Sequence, residues 1–430
     1  MTKIANNIKN NHNMKVLWFT NTASCYKSSF ASIHAYNGGG WISSLQKELE
    51  KRGLELGICF FAQNLDKNTK SLQNGTVYYP IKKPSKGVGY LIKQLFYTKQ
   101  KASELHEKIT IPTLLDVIQD FKPDVIHVFG TENIFGLVGK YTEIPLIIHL
   151  QGILTAALNA YLPPSISWTD YLFSSWRIKE VLERFSEMAV WKRNSISEQR
   201  IFKSVNYVMG RTEWDKHVAN VMNPKIKYYY CGEMLRDIFY DTTHSKHLPE
   251  IPTYVTIISS QLYKGFDLIL KTAYILKNIL KMDFIWKVYG DTNDALAKKM
   301  TRINPESVNV RLMGVAKSDE LKSALLNSTV YIHTSYIENS PNAICEAAIS
   351  GCAIVATNVG GVSSLIKDGE TGFLVSANDP YNMAYHINYL TYNPKINIMI
   401  GSNAQKEAIV RHDKESIVNR IMHIYNDIQK

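Results

Sequence analysis

Residues 335–356, SYIENSPNAICEAAISGCAIVA, decide the fold because they read as the loop, helix and strand that follow a buried strand. Apolar residues 330–333 precede this stretch and residues 353–356 close it, and both runs suit strands buried on both faces. Between them, Ser340 is predicted to cap a helix, with Pro341 in the first helical position and Gly351 just past its end. Strand, helix and strand in this order predict one unit of a parallel sheet.

Two carboxylates flank the start of this helix. Glu338 precedes it and Glu346 lies within it, with seven residues between them. In a parallel sheet the start of such a helix faces the ligand crevice, where its free N–H groups favour an anion such as a diphosphate. The pattern predicts an anion site framed by two acids. The alternative is an ordinary crossover whose solvated acids only match the helix dipole.

The whole motif resembles the signature of family-4 retaining glycosyltransferases of GT-B fold. It consists of Glu-x7-Glu on a helix that starts with Ser-Pro, then Ala-Ala-x-x-Gly-x-x-x-Val-Ala over residues 347–356, then Gly360-Gly361. The resemblance implies an α/β fold of two Rossmann-like domains whose parallel sheets face an interdomain cleft, with a C-terminal helix that crosses back to the first domain. It also implies a bacterial surface-polysaccharide type of enzyme.

Length and composition agree with two globular domains. The chain has 430 residues, of which 45% are hydrophobic and 20% charged. Five cysteines without a Cys-x-x-Cys pair predict neither a disulfide framework nor a zinc site, as expected in a reducing cytosol. The predicted division is a disordered tail over 1–13, an acceptor-side domain over 14–235, a linker over 236–250, a nucleotide-sugar domain over 251–412 and a crossover helix over 413–430.

The net charge of +11 calls for a partner or another explanation. Nucleic acid, an anionic lipid surface and nucleotides are all compatible with it. The polar N-terminal residues do not read as a signal peptide, and no run of about eighteen apolar residues predicts a membrane span. Residues 82–108 carry seven lysines and two glutamates with interleaved aromatic residues. This segment predicts either a helix on an anionic membrane surface or a solvated helix flank.

The first half of the chain offers several candidate ligand residues. Gly39 and Gly40 follow the first predicted strand, where bare backbone N–H groups let phosphate approach; the alternative is a flexible loop. His149 ends a later strand, and the resemblance implies that it hydrogen-bonds the donor sugar, whereas His127 is interpreted as structural. Arg211 follows the last strand that is predicted for the first domain. It is either a phosphate ligand or the partner of a neighbouring acid, Glu213 or Asp215.

Residues 155–199 are helical in pattern, broken by Pro163-Pro164 and rich in aromatic side chains. They predict an acceptor-side flap or an aromatic core under a long loop.

Further donor-site residues come from the resemblance. Lys264, in a Lys-Gly-x-Asp motif, would neutralise the donor diphosphate, and the backbone at Gly314 would contact the base. The family arginine about five residues before this lysine is replaced by Ser259, Ser260 and Gln261, and Arg211 is the predicted substitute across the cleft.

The family chemistry implies transfer of a sugar from a nucleoside diphosphate to an acceptor hydroxyl with retention of configuration. Glu346 would bind ribose hydroxyls, Glu338 would hold the sugar together with the backbone near residues 339–343, and Lys264 would stabilise the leaving diphosphate at the helix start. These five backbone positions are Asn339, Ser340, Pro341, Asn342 and Ala343. No Asp-x-Asp triplet occurs, so neither a metal nor another cofactor is predicted.

Two alternatives stay open on the sequence alone. A nucleotide-sugar 2-epimerase shares the architecture and would act without an acceptor. A non-catalytic basic protein would bind polyanions or membrane, although paired acids at the site disfavour nucleic acid. The preferred interpretation is a cytoplasmic transferase, peripheral on the inner face of the membrane, with a saccharide or lipid-linked saccharide acceptor.

Overall fold

The computed structural model describes residues 13–26, 40–62, 65, 67–83, 98–164, 166–174, 177–243, 246–292 and 294–430. Helices alternate with strands along most of this chain. The strands are β1 (Lys15–Thr20), β2 (Glu55–Ala62), β3 (Ser71–Gln73), β4 (Thr76–Lys82), β5 (Val125–Phe129), β6 (Leu146–His149), β7 (Tyr207–Gly210), β8 (Lys227–Tyr230), β9 (Thr253–Ile258), β10 (Ile285–Gly290), β11 (Val310–Gly314), β12 (Val330–His333), β13 (Ile354–Thr357) and β14 (Phe373–Val375). The α-helices are α1 (Gly40–Lys51), α2 (Lys99–Phe121), α3 (Leu154–Asn159), α4 (Trp168–Leu172), α5 (Ile178–Ser204), α6 (Glu213–Met222), α7 (Phe266–Tyr274), α8 (Asp294–Thr301), α9 (Ser318–Leu326), α10 (Asn342–Ile349), α11 (Pro380–Tyr392), α12 (Pro394–Arg411) and α13 (Lys414–Ile428).

The strands form two sheets, one in each half of the chain. The first has the order β3-β4-β2-β1-β5-β6-β7-β8, and the second has the order β11-β10-β9-β12-β13-β14. All pairings are parallel except that of β3 with β4. Chain order reverses between β1 and β5 and again between β9 and β12. These two switch points are where ligands bind in sheets of this kind, and the predicted α/β architecture is confirmed.

The last helix, α13, packs on the first sheet rather than the second. Ile421 and Tyr425 share a hydrophobic core with Trp18 of β1 and Phe129 of β5. The Tyr425 hydroxyl also lies 2.6 Å from Nδ1 of His127, which is fully buried. The predicted crossover of the C-terminal helix is therefore confirmed, and His127 has a packing role consistent with its structural interpretation.

Helix α10 starts one residue later than predicted. Pro341, not Ser340, is the N-cap residue, with φ −70° and ψ 118°, and its carbonyl accepts hydrogen bonds from the N–H groups of Ile344 (3.0 Å) and Cys345 (3.3 Å). The prediction failed because the proline ring fixes only φ, while ψ at Pro341 is extended as at other N-caps. Gly351 has φ +74° and follows the last turn, as predicted.

The aromatic segment of residues 155–199 contacts both halves of the chain. Tyr161 and Tyr171 pack with Leu296 of α8 in one small hydrophobic cluster. The rings of Trp191 and Tyr263 meet edge to face, with centroids 6.2 Å apart. The segment is therefore an apolar contact between the two α/β units at one end of their interface.

Candidate functional site

Lys264 and Glu338 meet at the switch point of the second sheet. Lys264 ends a short turn after β9, and Glu338 lies in the loop after β12. Gly265 brings these neighbouring strand ends together: its φ is +78°, and a Cβ there would lie 2.0 Å from the carbonyl oxygen of Thr334. Only glycine fits this approach. The Lys-Gly pair of the sequence is therefore a requirement of the local backbone.

In the described part of the chain, the Glu338 carboxylate has three polar neighbours. The Lys264 ammonium forms an ion pair with it, the Ser335 hydroxyl donates to it over 3.0 Å, and Nε2 of His333 lies 3.7 Å away. Burial opposes ionisation of Glu338, but the Lys264 charge, together with His333 and the hydrogen bonds from Lys264 and Ser335, outweighs it, and the pKa of Glu338 is lowered. Burial lowers the pKa of His333 to about 4. At neutral pH an ionised Glu338 therefore lies between the Lys264 ammonium and a neutral His333 imidazole.

Glu346 is held by a residue that the sequence reasoning did not single out. Arg236 donates from Nε to one carboxylate oxygen (2.7 Å) and from Nη2 to the other (2.6 Å), and its Nη1 donates to the Ser318 hydroxyl (2.8 Å). Burial raises the pKa of Glu346, and Arg236 offsets part of that rise. Arg236 lies in the stretch interpreted as a linker, and neither motif nor spacing marks it.

The loop before α10 joins the two halves of the chain. The side-chain oxygen of Asn339 accepts from the Thr212 hydroxyl (2.7 Å), and its amide nitrogen donates to the carbonyl of Gln151 (3.1 Å). A Cβ on Gly361 would lie 2.3 Å from the Asn339 carbonyl oxygen and 2.7 Å from the Thr212 side chain. The Gly360-Gly361 pair thus permits a close approach of the halves beside the helix start.

The remaining backbone candidates surround this loop. Ser340 and Pro341 are buried, whereas Asn342 and Ala343 at the start of α10 are partly exposed. Gly314 ends β11 with φ +70° and has open space where a side chain would be.

His149 ends β6 and is completely buried. Its ring contacts the edge of Trp41 (5.7 Å between centroids) and stacks on His127 (5.4 Å). In the part of the chain that the structure describes, neither ring nitrogen has a hydrogen-bond partner. Burial holds the pKa of His149 well below its usual value, so the imidazole is neutral. Each ring nitrogen therefore has unused hydrogen-bonding capacity.

Arg211 lies beside this histidine, and two of its three guanidinium nitrogens contact groups of the first half, whereas Nε has no hydrogen-bond partner among the described residues. Its guanidinium forms an ion pair with Glu233, donates to the Leu150 carbonyl (3.1 Å) and the Gln151 side chain (3.2 Å), and lies over the Trp41 ring. The two acids that the sequence offered are not its side-chain partners, since Asp215 accepts only the Arg211 backbone N–H (2.9 Å). Arg211 fixes the loop that meets Asn339.

Gly40 starts α1 and touches Arg236. A Cβ at Gly40 would lie 2.8 Å from Cγ of Arg236, so the absence of a side chain allows this contact. Gly39 lies outside the described residues. Gly40 and the Glu346–Arg236 pair therefore belong to one region between the halves.

Glu132 is a second residue that the sequence reasoning missed. It follows β5 at the switch point of the first sheet, opposite Asn21 after β1. The Gly152 N–H donates to one carboxylate oxygen (2.9 Å) and the Asn21 amide lies 3.5 Å from the other. Burial raises the pKa of Glu132 to about 7, with a further contribution from the Glu198 carboxylate. Its position just past a strand end was the signal that could have found it.

Helix α5 carries exposed apolar side chains. Ile178, Leu182 and Phe185 share one face of α5 and are 78%, 62% and 43% exposed. Nearby, burial and the Lys99 charge lower the pKa of Lys192, which places basic groups of α2 and α5 close together. No described helix combines the length and apolar character needed to cross a bilayer. Of the basic segment 82–108, residues 84–97 lie outside the described part.

Comparison with known proteins identifies related chains. The family model described as glycosyl transferases group 1 matches residues 243–407. The chain is 23% identical over 303 residues to the sulfoquinovosyl transferase of Arabidopsis thaliana, covering 69% of this chain and 55% of the relative. It is 27% identical over 158 residues to UDP-Gal:alpha-D-GlcNAc-diphosphoundecaprenol alpha-1,3-galactosyltransferase of Escherichia coli, covering 36% and 40% of the two chains. The chain thus spans about half or less of these relatives.

The fold itself is shared along nearly the whole chain. The Anabaena protein HepE, solved in complex with UDP and glucose, superposes with a TM-score of 0.61 at 16% identity, over 96% of this chain and 100% of that one. The two parallel-sheet units with a crossing C-terminal helix are a GT-B fold. The chain is thus similar to glycosyl transferases group 1 over residues 243–407, and the likeness in fold extends over nearly all of it.

Proposed function

We propose that this protein is a retaining glycosyltransferase that moves a sugar from a nucleoside diphosphate to a hydroxyl of a saccharide or lipid-linked saccharide. The observation that carries the proposal is the arrangement at the second switch point. There, Lys264, Glu338 and the start of α10 converge, and Glu346 lies within the same helix. Similarity to glycosyl transferases group 1 over residues 243–407 supports the same assignment.

The donor would bind along the start of α10. The free N–H groups of the helix and the Lys264 ammonium would face the diphosphate, with Lys264 shared between Glu338 and the phosphate oxygens. Glu346 would accept hydrogen bonds from ribose hydroxyls, and Glu338 from sugar hydroxyls. The neutral His149 ring would offer its N–H to the sugar.

The reaction would proceed on one face of the sugar. The bond between the anomeric carbon and the phosphate oxygen breaks as the acceptor oxygen bonds to that carbon, and the departing phosphate oxygen takes the acceptor proton. Lys264 and the helix start would stabilise the negative charge that develops on the diphosphate. The proposed mechanism requires no divalent metal and no other cofactor, because these groups supply the neutralising charge.

The acceptor would lie against the first sheet. Glu132, at the end of β5, is placed to accept a hydrogen bond from an acceptor hydroxyl. A lipid-linked acceptor would bring the protein to the cytoplasmic face of an anionic membrane. The support is the net charge of +11, together with the exposed apolar face of α5 near basic groups.

A binding and turnover experiment tests the proposed function. UDP, GDP and ADP, and their sugars, are screened by thermal shift, since a ligand of the folded state raises the melting temperature. The best donor is then incubated with simple sugars as acceptors, and the anomeric configuration of the product is read by NMR. Lys264→Ala should lower kcat/KM by roughly 30- to 1,000-fold, while Lys395→Ala, an exposed control, should not.

Distinct results would contradict the proposal. Inverted product would exclude the retaining mechanism, and an epimerised or released sugar without acceptor would indicate a 2-epimerase. Binding of polyanions without turnover of any nucleotide sugar would indicate a non-catalytic protein.

The membrane proposal has its own test. Ile178→Ser with Leu182→Ser should reduce sedimentation with phosphatidylglycerol vesicles, because both side chains lie on the exposed face of α5. Val221→Ser is the matched control, since Val221 is exposed on α6. Equal sedimentation of all variants would show that this face does not dock on lipid.

A further inference from the structure

The contact between Arg236 and Glu346 adds a residue to the proposed donor site. We infer that Arg236 is a positioning residue, which keeps Glu346 ionised and aimed so that the carboxylate accepts hydrogen bonds from the ribose of a nucleoside diphosphate. This inference rests on the proposed function, because Glu346 is the ribose ligand only if a nucleotide binds along α10.

The geometry leaves Glu346 able to bind a second group. A carboxylate has about four lone-pair positions, and the two parallel hydrogen bonds from Arg236 use two of them. Two positions remain for ribose hydroxyls without any movement of the arginine. The third nitrogen of the guanidinium is tied to Ser318 at the start of α9, so the guanidinium is held by both neighbours. Because the guanidinium cannot rotate freely, its two parallel hydrogen bonds determine the plane of the Glu346 carboxylate.

The charge of Glu346 depends on the same contact. Glu346 is buried, and burial alone favours its neutral acid. Arg236 is the cation that opposes this effect. Among the described residues, the Glu346 charge also raises the pKa values of the neutral Tyr331 of β12 and of Cys345, next to it on α10. Neither supplies positive charge, so loss of Arg236 should raise the pKa of Glu346 further.

Arg236 also belongs to the region between the halves. It lies on the connection between β8 and β9, and its Cγ fills the space above Gly40 at the start of α1. The orientation of Glu346 in the second half therefore depends on a side chain packed against the first half. An ion pair with only a structural role would have the same contacts. The test therefore needs measurements that a structural role would not change, namely the pH dependence of nucleotide affinity and the discrimination against deoxy analogues.

The experiment measures nucleotide affinity by calorimetry from pH 6 to pH 9. The probes are UDP and its 2′-deoxy and 3′-deoxy analogues, or the GDP or ADP series if thermal shift selects that base. The variants are Arg236→Gln and Arg236→Lys, with Glu346→Gln as a permanently neutral reference. Arg52→Gln is the matched control, because Arg52 forms an exposed ion pair with Glu415 (2.9 Å).

The inference predicts a specific pattern. In the wild type and in Arg52→Gln, the affinity for UDP should exceed the affinity for at least one of the two deoxy analogues by about tenfold or more. Arg236→Gln should lose roughly 10- to 100-fold in UDP affinity, most strongly at low pH where the unpaired Glu346 is protonated, and should discriminate less against that analogue. Arg236→Lys should recover part of the affinity. Glu346→Gln should show a similar loss without the pH dependence.

Other patterns would overturn it. Wild-type affinity in Arg236→Gln would exclude a positioning role. An equal, pH-independent loss for UDP and its deoxy analogues would show that Arg236 is structural or contacts the phosphates directly. If Arg236→Gln does not fold, Arg236→Lys decides, because lysine keeps the positive charge but not the two parallel hydrogen bonds. Wild-type discrimination between UDP and its deoxy analogues in Arg236→Lys would then exclude the positioning role. Failure of the wild type to bind any nucleoside diphosphate would instead refute the proposed function.

Discussion

Replacement of Glu132 by glutamine should change how stability depends on pH. In the folded protein, burial raises the pKa of Glu132 from 4.5 to about 7. A carboxyl group with a raised pKa holds its proton more tightly in the folded state, so the folded protein binds more protons than the unfolded chain between these two values. Stability from this group is therefore lost as pH rises from about 4.5 to about 7.

The size of the effect follows from the two pKa values. Proton linkage gives a loss of about 2.5 kcal/mol in the wild type between pH 5 and pH 8. Glu132→Gln has no proton to exchange, and the glutamine oxygen can still accept the Gly152 N–H. The free energy of unfolding of the variant, relative to wild type, should therefore increase by about 2.5 kcal/mol between these pH values.

The assay is urea unfolding followed by circular dichroism at pH 5, 6, 7 and 8. Only the change with pH tests the reasoning, because a constant offset between the proteins reports the amide itself. Glu143→Gln is the matched control, since Glu143 is an exposed glutamate before β6. A difference between Glu132→Gln and wild type that stays constant within about 0.5 kcal/mol from pH 5 to pH 8 would refute the raised pKa of Glu132.

Three further predictions concern packing between elements. Tyr425→Phe should lower the free energy of unfolding by about 1–3 kcal/mol in urea titrations, because it leaves His127 buried without its partner; an unchanged midpoint would show that this hydrogen bond contributes nothing. Asn339→Ala should increase the radius of gyration measured by small-angle scattering, since it removes the two hydrogen bonds that Asn339 makes to Thr212 and Gln151 of the first half. An unchanged radius would mean that other contacts hold the halves together. Gly361→Ala should also increase the radius of gyration, because the added Cβ would clash with Asn339 and Thr212 where the halves meet. Gly369→Ala should not, since a Cβ there meets nothing within 4 Å. Equal scattering profiles of these two variants would contradict this prediction.

The sequence predicted those parts of the fold whose signals are local. Buried strands appear in the sequence as apolar runs, so the strands around residues 330–356 and the parallel order were predictable. The error at the start of α10 came from a local rule too, since Pro341 satisfies φ for the first helical position and only the structure shows its extended ψ. The alternation of elements predicted two parallel-sheet units, whereas the GT-B arrangement and the crossing C-terminal helix were implied by the family resemblance.

Site residues whose partners are distant in sequence could not be predicted in the same way. Arg236 is 110 residues from Glu346, and nothing in a stretch between two domains distinguishes an arginine that pairs with a buried acid from a solvated one. Arg211 illustrates the converse: its nearest acids in sequence suggested partners, but the fold brings Glu233 to its guanidinium. Which charged side chains form an ion pair depends on the order of the strands in the sheets, and residue types alone do not predict that order.

The two switch points of this fold carry complementary chemistry. In the second sheet, Lys264 and Glu338 lie at the ends of β9 and β12, where a diphosphate would bind. In the first sheet, Glu132 lies at the end of β5, where a hydroxyl would bind. Gln151 connects them: its carbonyl accepts from Asn339 of one half, and the next residue in the chain, Gly152, donates to Glu132 of the other.

The hydrogen bond between Asn339 and Gln151 therefore links contact between the two halves to the proposed reaction. Any movement that separates Asn339 from Gln151 also moves the helix start away from the strand end that orients Glu132. The groups that would bind the sugar donor and those that would bind the acceptor would then lose their alignment. The first group is attached to the Asn339 side of this hydrogen bond and the second to the Gln151 side. Transfer is therefore expected only in the arrangement in which the halves are in contact, since reacting groups must be held at close range before the barrier falls.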